Sequence, residues 1–167
     1  MDFELKQHTS LSQISDPWDF GSDEDPEELV HKMSQFMIDN HGIGLAANQI
    51  GITKRIFTMG SYNMPGFPKP FGVFNPRIVE ESKTRVLDKE GCLSFPGLFL
   101  SISRPEWAIV EFQNYKGDTV EAKVEGYVAK CFQHELDHLN GVCFVDNVSR
   151  VKLQLAHKKL RKKLKNG

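Results

Sequence analysis

The 167-residue chain has few cysteines, no long apolar run and almost no net charge. Its three cysteines follow no framework spacing, so we expect no disulfide-stapled secreted domain and instead a reducing compartment. No stretch approaches the roughly 20 apolar residues of a membrane-spanning helix, and we expect no membrane partner. A formal net charge of -1 argues against wholesale nucleic-acid binding, and we expect no DNA partner.

The first residues, MDFELKQHTS, lack both the basic start and the apolar core of a secretory signal. They also contain acidic residues, which organelle transit peptides avoid, so we expect a cytoplasmic protein. With 40% hydrophobic and 26% charged residues, the composition is that of a globular protein. The length favours a single domain over residues 1–167, with an irregular segment over 1–24 and a basic C-terminal helix over 149–165.

Helical and strand patterns occur together. The segment DPEELVHKMSQFMIDNHG predicts a helix, in which Asp25 caps, Pro26 takes the first position and Gly42 marks the stop. A second helix is predicted over EGYVAKCFQHELDHLNG. Short segments rich in branched and aromatic residues predict strands: RIFTM, FGVFNPRIVE, TRVL, WAIVEFQN, TVEAKV and VCFV (142–145). These patterns predict an α+β fold, with short, mostly antiparallel sheets around the second helix and a further helix at each end.

The predicted central helix contains HELDH, in which two histidines lie four residues apart. His134 and His138 share a helix face and can bind one ion, while Glu135 projects to the side, where it can reach a water. Burying such groups unpaired in an otherwise apolar helix is costly. The pattern therefore favours a metal site over two unrelated surface histidines.

A hydrolytic metal centre usually has a third protein ligand. The metzincin pattern places a histidine where this chain has Phe144. Cys131 and Cys143 lie in apolar segments and are interpreted as core packing, and Asp137 as a carboxylate that orients a ligand imidazole. Distant histidines stay open as candidates. Cys92, in EGCLSFPG, is favoured because it lies on a predicted turn, where scaffolds commonly place ligating groups.

Three separated motifs carry a family resemblance: GIGLAANQ (42–49), EGCLS (90–94) and QHELDH (133–138). In this order and spacing they resemble the peptide deformylase family. The resemblance implies a peptide-deformylase-like fold and a metal-dependent hydrolase, which removes the formyl group from the N-terminal N-formylmethionine of new polypeptides and releases formate. It also implies that the third ligand is Cys92, beside His134 and His138.

The family's catalytic and binding roles carry over to matching positions. Glu135 would take a proton from the metal-activated water and return it to the leaving amine. The side-chain amide of Gln49 and the backbone N–H of Leu93 would meet the oxyanion. The peptide would pair with the GIG segment like an added strand, and its methionine would enter an apolar pocket. The expected substrate-binding residues are Ile43, Gly44, Leu45, Glu90, Gly91, Tyr127 and Cys131. Glu90 is also expected to anchor the loop that carries Cys92.

The resemblance also implies a cofactor and a partner. Family enzymes are typically ferrous, so Fe(II) is expected, although Zn(II), Ni(II) or Co(II) also suit a Cys-His-His set. The expected partners are N-formylmethionyl nascent peptides. The last ten residues carry six Lys or Arg and no acid. They form either a solvated helix whose cations complement its dipole or a contact with the ribosome.

The chain departs from the family pattern in two regions. Many members carry an arginine shortly after EGCLS, where this chain has Leu98 and Phe99, with Arg104 later. Lys130 stands where a bulky apolar residue is common, and we expect its stem to cover the pocket rim while its ammonium reaches water.

Two other functions are weighed against the deformylase. One is an HExxH metalloprotease. The other is a structural zinc module with Cys131 or Cys143 as fourth ligand, in which Glu135 and the GIGLAANQ segment would have no use.

Overall fold

The structure, a computed structural model, describes residues 3–6 and 11–165. Its α-helices are α1 (Pro26–Asp39), α2 (Gly126–Leu139) and α3 (Arg150–Lys165). Its strands are β1 (Gly44–Ala46), β2 (Ile56–Met59), β3 (Phe71–Glu81), β4 (Arg85–Cys92), β5 (Phe95–Pro105), β6 (Trp107–Gln113) and β7 (Thr119–Glu125). Two 3₁₀ helices cover Ala47–Ile50 and Phe144–Asn147. The predicted α+β class, with a helix at each end and HELDH on the central helix, is confirmed.

The strands form two sheets in which neighbouring strands run antiparallel. Five of them pair in the order β1-β2-β3-β6-β7, while β4 and β5 form a separate two-stranded sheet. Within the described residues, β1 pairs only with β2 and β4 only with β5. The β1 edge of the five-stranded sheet and the β4 edge of the two-stranded sheet therefore have no partner strand within the described residues, and each can accept an added strand.

Helix α1 begins as its sequence predicts. The Asp25 carboxylate accepts hydrogen bonds from two backbone amides of the first turn, and Pro26 is the first helical residue. The helix ends at Asp39, earlier than Gly42, because His41 takes a left-handed conformation with φ of 59°. Its apolar face buries two methionines against β2 and β3, in a core cluster that includes Met33, Met37, Leu45, Ile56 and Phe74.

Helix α2 is buried on almost every side, unlike a surface helix with one apolar stripe. Phe132 packs edge-to-face on Phe57 of β2, with ring centroids 5.1 Å apart, and anchors the helix to the five-stranded sheet. The opposite side of the helix faces the two-stranded sheet. The polar residues of HELDH consequently lie inside the protein, between the two sheets.

The strand predicted over 142–145 is wrong. The chain instead makes the 3₁₀ helix Phe144–Asn147, because the Asp146 carboxylate accepts a hydrogen bond from the backbone N–H of Cys143 at 2.8 Å and closes a turn. The interpretation of Cys143 as a core residue is confirmed, since its side chain is buried.

Helix α3 follows Ser149, whose hydroxyl accepts a hydrogen bond from the backbone N–H of Lys152. Three small or apolar side chains of α3 pack against a core cluster that includes Leu98, Leu100 and Ile102 of β5: Leu153, Ala156 and Leu160. Its lysine and arginine side chains are exposed. Across the described ranges, no helix combines the length and apolar character needed to cross a membrane.

We expect the end of α2 to be sensitive to a single methyl group at Gly141. This residue has φ of +74°, and an added Cβ would lie 2.5 Å from the carbonyl oxygen of Ser12. Gly141→Ala should lower the free energy of unfolding by about 2 kcal/mol or more, since it adds a backbone clash to the strain of a left-handed residue.

Gly66→Ala is the matched control. Gly66 has φ of +77°, but a Cβ there would meet no atom within 4 Å among the described residues. It should cost about 1 kcal/mol, the strain alone. Denaturant unfolding measures both variants, and equal losses would contradict the steric explanation.

Candidate metal centre

Three side chains from two elements converge between the sheets. Cys92 is the last residue of β4, and His134 and His138 lie one turn apart on α2. The Cys92 Sγ lies 3.3 Å from His138 Nε2, and the two imidazole centroids are 4.9 Å apart. One ligand atom from each of the three residues lies within 4.8 Å of the other two. Among residues 3–6 and 11–165, no other group of three such side chains meets this condition.

The chemistry of these residues fits a divalent metal ion. One thiol and two imidazoles form a donor set that iron and zinc accept. Burial lowers the pKa of His138 well below its usual value, so this imidazole is neutral, as a ligand must be. Beside the three donors, Glu135 Oε2 is buried with no hydrogen-bond partner among the described residues. A carboxylate oxygen in that position is costly unless a cation or a water meets it.

Glu90 is buried and bound from two sides. Its Oε2 lies 3.0 Å from His134 Nδ1, and the Arg104 guanidinium donates to both of its oxygens. Arg104 also donates to Asp137 of α2, at 2.9 Å. Burial favours the protonated form, but the hydrogen bonds from His134 and Arg104 outweigh it and lower the pKa of Glu90. The carboxylate therefore stays charged, fixes the His134 ring and joins β4, β5 and α2.

The interpretation of Asp137 as the carboxylate that orients a ligand imidazole is wrong. Its carboxylate accepts from Arg104, and Glu90 contacts the imidazole instead. Arg104 itself was not predicted as part of the site. The sequence of β5 contained a signal for Arg104. Alternate residues of this strand face the core, and the same alternation places Arg104 inside. The preceding inward residues are Leu98, Leu100 and Ile102.

Glu135 points toward β1 and is 4% exposed. A Cβ on Gly44 would lie 2.2 Å from its Oε1, so a residue larger than glycine would displace the carboxylate. Burial raises the pKa of Glu135 to about 7, although the neighbouring His134 opposes this. The group can therefore exchange a proton near neutral pH.

Gln49 presents a side-chain N–H to the Cys92 sulfur. Its Oε1 accepts from the backbone N–H of Ala46 at 2.9 Å, which fixes the orientation of the amide. Its Nε2 then lies 3.4 Å from Cys92 Sγ and 3.1 Å from Ser94 Oγ. Ser94 was not predicted to contact the site, although it is the last residue of the EGCLS motif. Leu93, which follows Cys92, lines the same cavity.

A cavity of about 580 Å³ opens beside the three donors, between β1, β4 and α2. The structure places six of the predicted substrate-binding residues on its wall: Ile43, Gly44, Glu90, Gly91, Tyr127 and Cys131. The seventh, Leu45, is fully buried and packs in the core cluster under α1 instead. Because neighbouring residues of an extended segment point to opposite sides, Leu45 cannot share the orientation of its neighbours.

The mouth of the cavity includes Lys130. Its side chain lines the cavity, as predicted, and its ammonium is bound at the surface by groups of β4. Nζ lies 2.5 Å from the Asp88 carboxylate and 3.2 Å from the Lys89 carbonyl oxygen, and 5.0 Å from the centre of the Tyr127 ring. The two elements that flank the cavity, β4 and α2, are thus also joined at its rim.

Known proteins are similar to this chain in sequence and in fold. A family model described as polypeptide deformylase matches residues 3–154. The peptide deformylase of Thermotoga petrophila is 44% identical over 138 residues, which cover 83% of this chain and 81% of that protein. The crystal structure of a peptide deformylase from Synechococcus elongatus in complex with actinonin matches with a TM-score of 0.85 and 34% identity, covering 94% of this chain and 86% of that one. The crystal structure of a probable peptide deformylase from Synechococcus phage S-SSM7 matches with a TM-score of 0.81 and 35% identity. The match covers 88% of this chain and 100% of that one.

We expect Cys92→Ala to lower the affinity for Co(II) by at least about 100-fold, because it removes the single thiol of the donor set. Titration of metal-free protein, followed by the thiolate-to-cobalt charge-transfer absorption, measures affinity and ligand identity together. Cys131→Ala is the control, since this buried thiol lies outside the donor set. An undiminished absorption band in Cys92→Ala would contradict the assignment.

Proposed function

Because the chain belongs to the polypeptide deformylase family, we propose that Cys92, His134 and His138 hold the metal ion of its reaction. The chain is an enzyme, a metal-dependent hydrolase that removes the formyl group from the N-terminal N-formylmethionine of newly synthesised polypeptides and releases formate. Family membership sets aside the metalloprotease and the structural zinc module. The observation that supports the ligand assignment is the convergence of the three donor atoms within 4.8 Å.

We propose Fe(II) as the working ion, with Zn(II), Ni(II) or Co(II) able to take its place. One cysteine sulfur and two imidazole nitrogens suit each of these ions, so the donor set alone does not choose among them. When bound, such an ion activates a water toward attack and polarises the formyl carbonyl.

In this proposal Glu135 moves the proton. Its pKa of about 7 allows the carboxylate to accept a proton from the attacking water and then to donate it to the leaving amine. Its place beside the donor set, with one oxygen left without a partner among the described residues, supports this role. Gly44 contributes by having no side chain, which leaves the carboxylate its space.

Two donors meet the charge that develops on the formyl oxygen. Gln49 Nε2 is held toward Cys92 by the bond that its own carbonyl accepts from Ala46. The backbone N–H of Leu93, the residue after Cys92, is the second proposed donor. A fixed amide needs no reorientation as the charge appears, which is the source of its effect on the rate.

The peptide lies as an extended strand between the edges of β1 and β4. Both edges border the cavity, and backbone pairing along them would bind the substrate with little regard to its later side chains. The methionine side chain enters the part of the cavity lined by Ile43, Tyr127 and Cys131. Gly91 supplies the β4 edge, whereas Glu90 acts on the substrate only by holding His134.

We also propose that the enzyme works in the cytoplasm, as one catalytic domain over residues 1–167 with a basic helix over 149–165 and an irregular segment over 1–24, of which residues 1, 2 and 7–10 lie outside the described residues. The helix supports a contact with the ribosome. It packs Leu153, Ala156 and Leu160 against β5 and leaves its cations exposed, which suits a surface rich in phosphate.

Glu135→Gln should reduce formate release from a formyl-Met peptide by at least about 1,000-fold, because the amide cannot carry the proton. The metal content should stay at the wild-type level, since Glu135 is not a proposed ligand. Glu121→Gln on exposed β7 is the control. Protein prepared without oxygen and loaded with Ni(II) is assayed for formate and for metal. Full activity in Glu135→Gln would contradict the proposed role.

For the ribosome contact, we expect the triple variant Lys158→Glu, Lys162→Glu, Lys163→Glu to lose co-sedimentation with ribosomes. Formate release from a short peptide should be unchanged, since these side chains lie on the exposed side of α3. Reversal of three exposed lysines elsewhere, Lys32, Lys69 and Lys116, controls for net charge. Binding that is absent in the wild type, or insensitive to salt, would refute the contact.

A further inference from the structure

We propose that Phe99 makes this enzyme prefer an apolar side chain at the second residue of the formylated peptide. The inference rests on the proposed function, because it assumes that the peptide lies between β1 and β4. It assigns to Phe99 a role in choosing among substrates, not in the chemical step.

The first observation is where the ring lies. Phe99 of β5 pairs with Gly91 of β4. A Cβ on Gly91 would lie 2.8 Å from the ring atom Cε1 of Phe99, so the ring covers this glycine directly. Phe99 lines the cavity and is nevertheless 64% exposed. An aromatic face is therefore open to solvent beside the free edge of β4.

The alternation of an extended chain connects this ring to one residue of the substrate. Successive side chains of a strand point to opposite sides. If the methionine side chain points inward to Ile43 and Cys131, the next side chain points outward, to the rim of the cavity. Phe99 is the large exposed apolar residue that lines the cavity on the β4–β5 side of that rim.

The charges near the ring decide which side chains it favours. The nearest arginine along β5, Arg104, is buried against Glu90 and Asp137 and cannot reach the rim. The Lys130 ammonium is bound to Asp88. Four further apolar or glycine residues line the same cavity: Leu93, Pro96, Gly97 and Leu98. An apolar side chain would cover the exposed ring, whereas an acidic one would lose hydration against it.

Lys89 provides the competing possibility. It lines the cavity two residues before Gly91 on β4. If this cation governed the choice, an acidic second residue would be favoured instead. Peptides that differ only at this residue separate the two cases.

The experiment compares kcat/KM for formyl-Met-Leu, formyl-Met-Ala and formyl-Met-Asp peptides with the same remaining sequence. We expect the wild type to favour Leu over Asp by about tenfold, the scale of one small apolar contact. Phe99→Ala should bring that ratio close to one while leaving the Ala peptide within about twofold. Phe99→Arg should favour Asp. The change should appear mainly in KM, because the contact is made equally in the ground and transition states.

Leu87→Ala is the matched control. Leu87 is an equally exposed apolar residue of the same sheet, but it does not line the cavity, so the variant should keep the wild-type ratio. A wild type that does not discriminate, or that favours Asp, overturns the proposal, as does a Phe99→Ala variant that keeps the preference. A folded, metal-loaded wild type that releases no formate from the Ala peptide overturns the proposed function itself.

Discussion

The buried carboxylate of Glu90 is the interaction on which the rest of the structure depends. It lies between the imidazole of His134 on α2 and the guanidinium of Arg104 on β5, and Arg104 continues to Asp137 on α2. Removing one member of such a network leaves an uncompensated buried charge, which costs about 3–5 kcal/mol. Since Glu90 lies two residues before Cys92, the same contacts that join the two-stranded sheet to α2 also bring the thiol to the histidines. The contacts that hold the two-stranded sheet on α2 therefore also hold the three donor atoms together.

The parts of this arrangement that follow from local rules could be predicted from the sequence. The Asp25 cap, the HELDH spacing and the alternation of the strands depend on neighbours within a few residues, and they place α1, α2 and most strands correctly. The alternation of β5 predicts that Arg104 points inward, but it does not predict that Arg104 binds Glu90, because the two residues are 14 positions apart and only the pairing of β4 with β5 brings them together. The segment 142–145 has a strand-like composition, but a single bond between Asp146 and the backbone of Cys143 turns it into a helix.

The chemistry of the site follows from what surrounds each group. Nothing in the sequence beside Glu135 indicates a raised pKa. The pKa is raised because α2 buries the carboxyl group against β1, at Gly44, which has no side chain. Gln49 becomes a donor aimed at the thiol because its own carbonyl oxygen is bound to the backbone of Ala46. In both cases the packing of the fold fixes the orientation of the polar group before the reaction starts, so no solvent has to reorganise during the reaction.

The cavity wall has an uneven freedom to vary. Near the thiol, Gly44 cannot enlarge without displacing Glu135, and Glu90 cannot change without releasing a buried charge. At the rim, Phe99 is largely open to water and Tyr127 is partly so, and substitution there costs less stability than in the core. Substitutions are therefore tolerated more readily at the rim of the cavity than beside the reacting groups. An inhibitor that contacts only the inner wall leaves few substitutions that could weaken its binding without harming the enzyme. An inhibitor that also depends on contacts with the rim can lose affinity through substitutions that the enzyme tolerates.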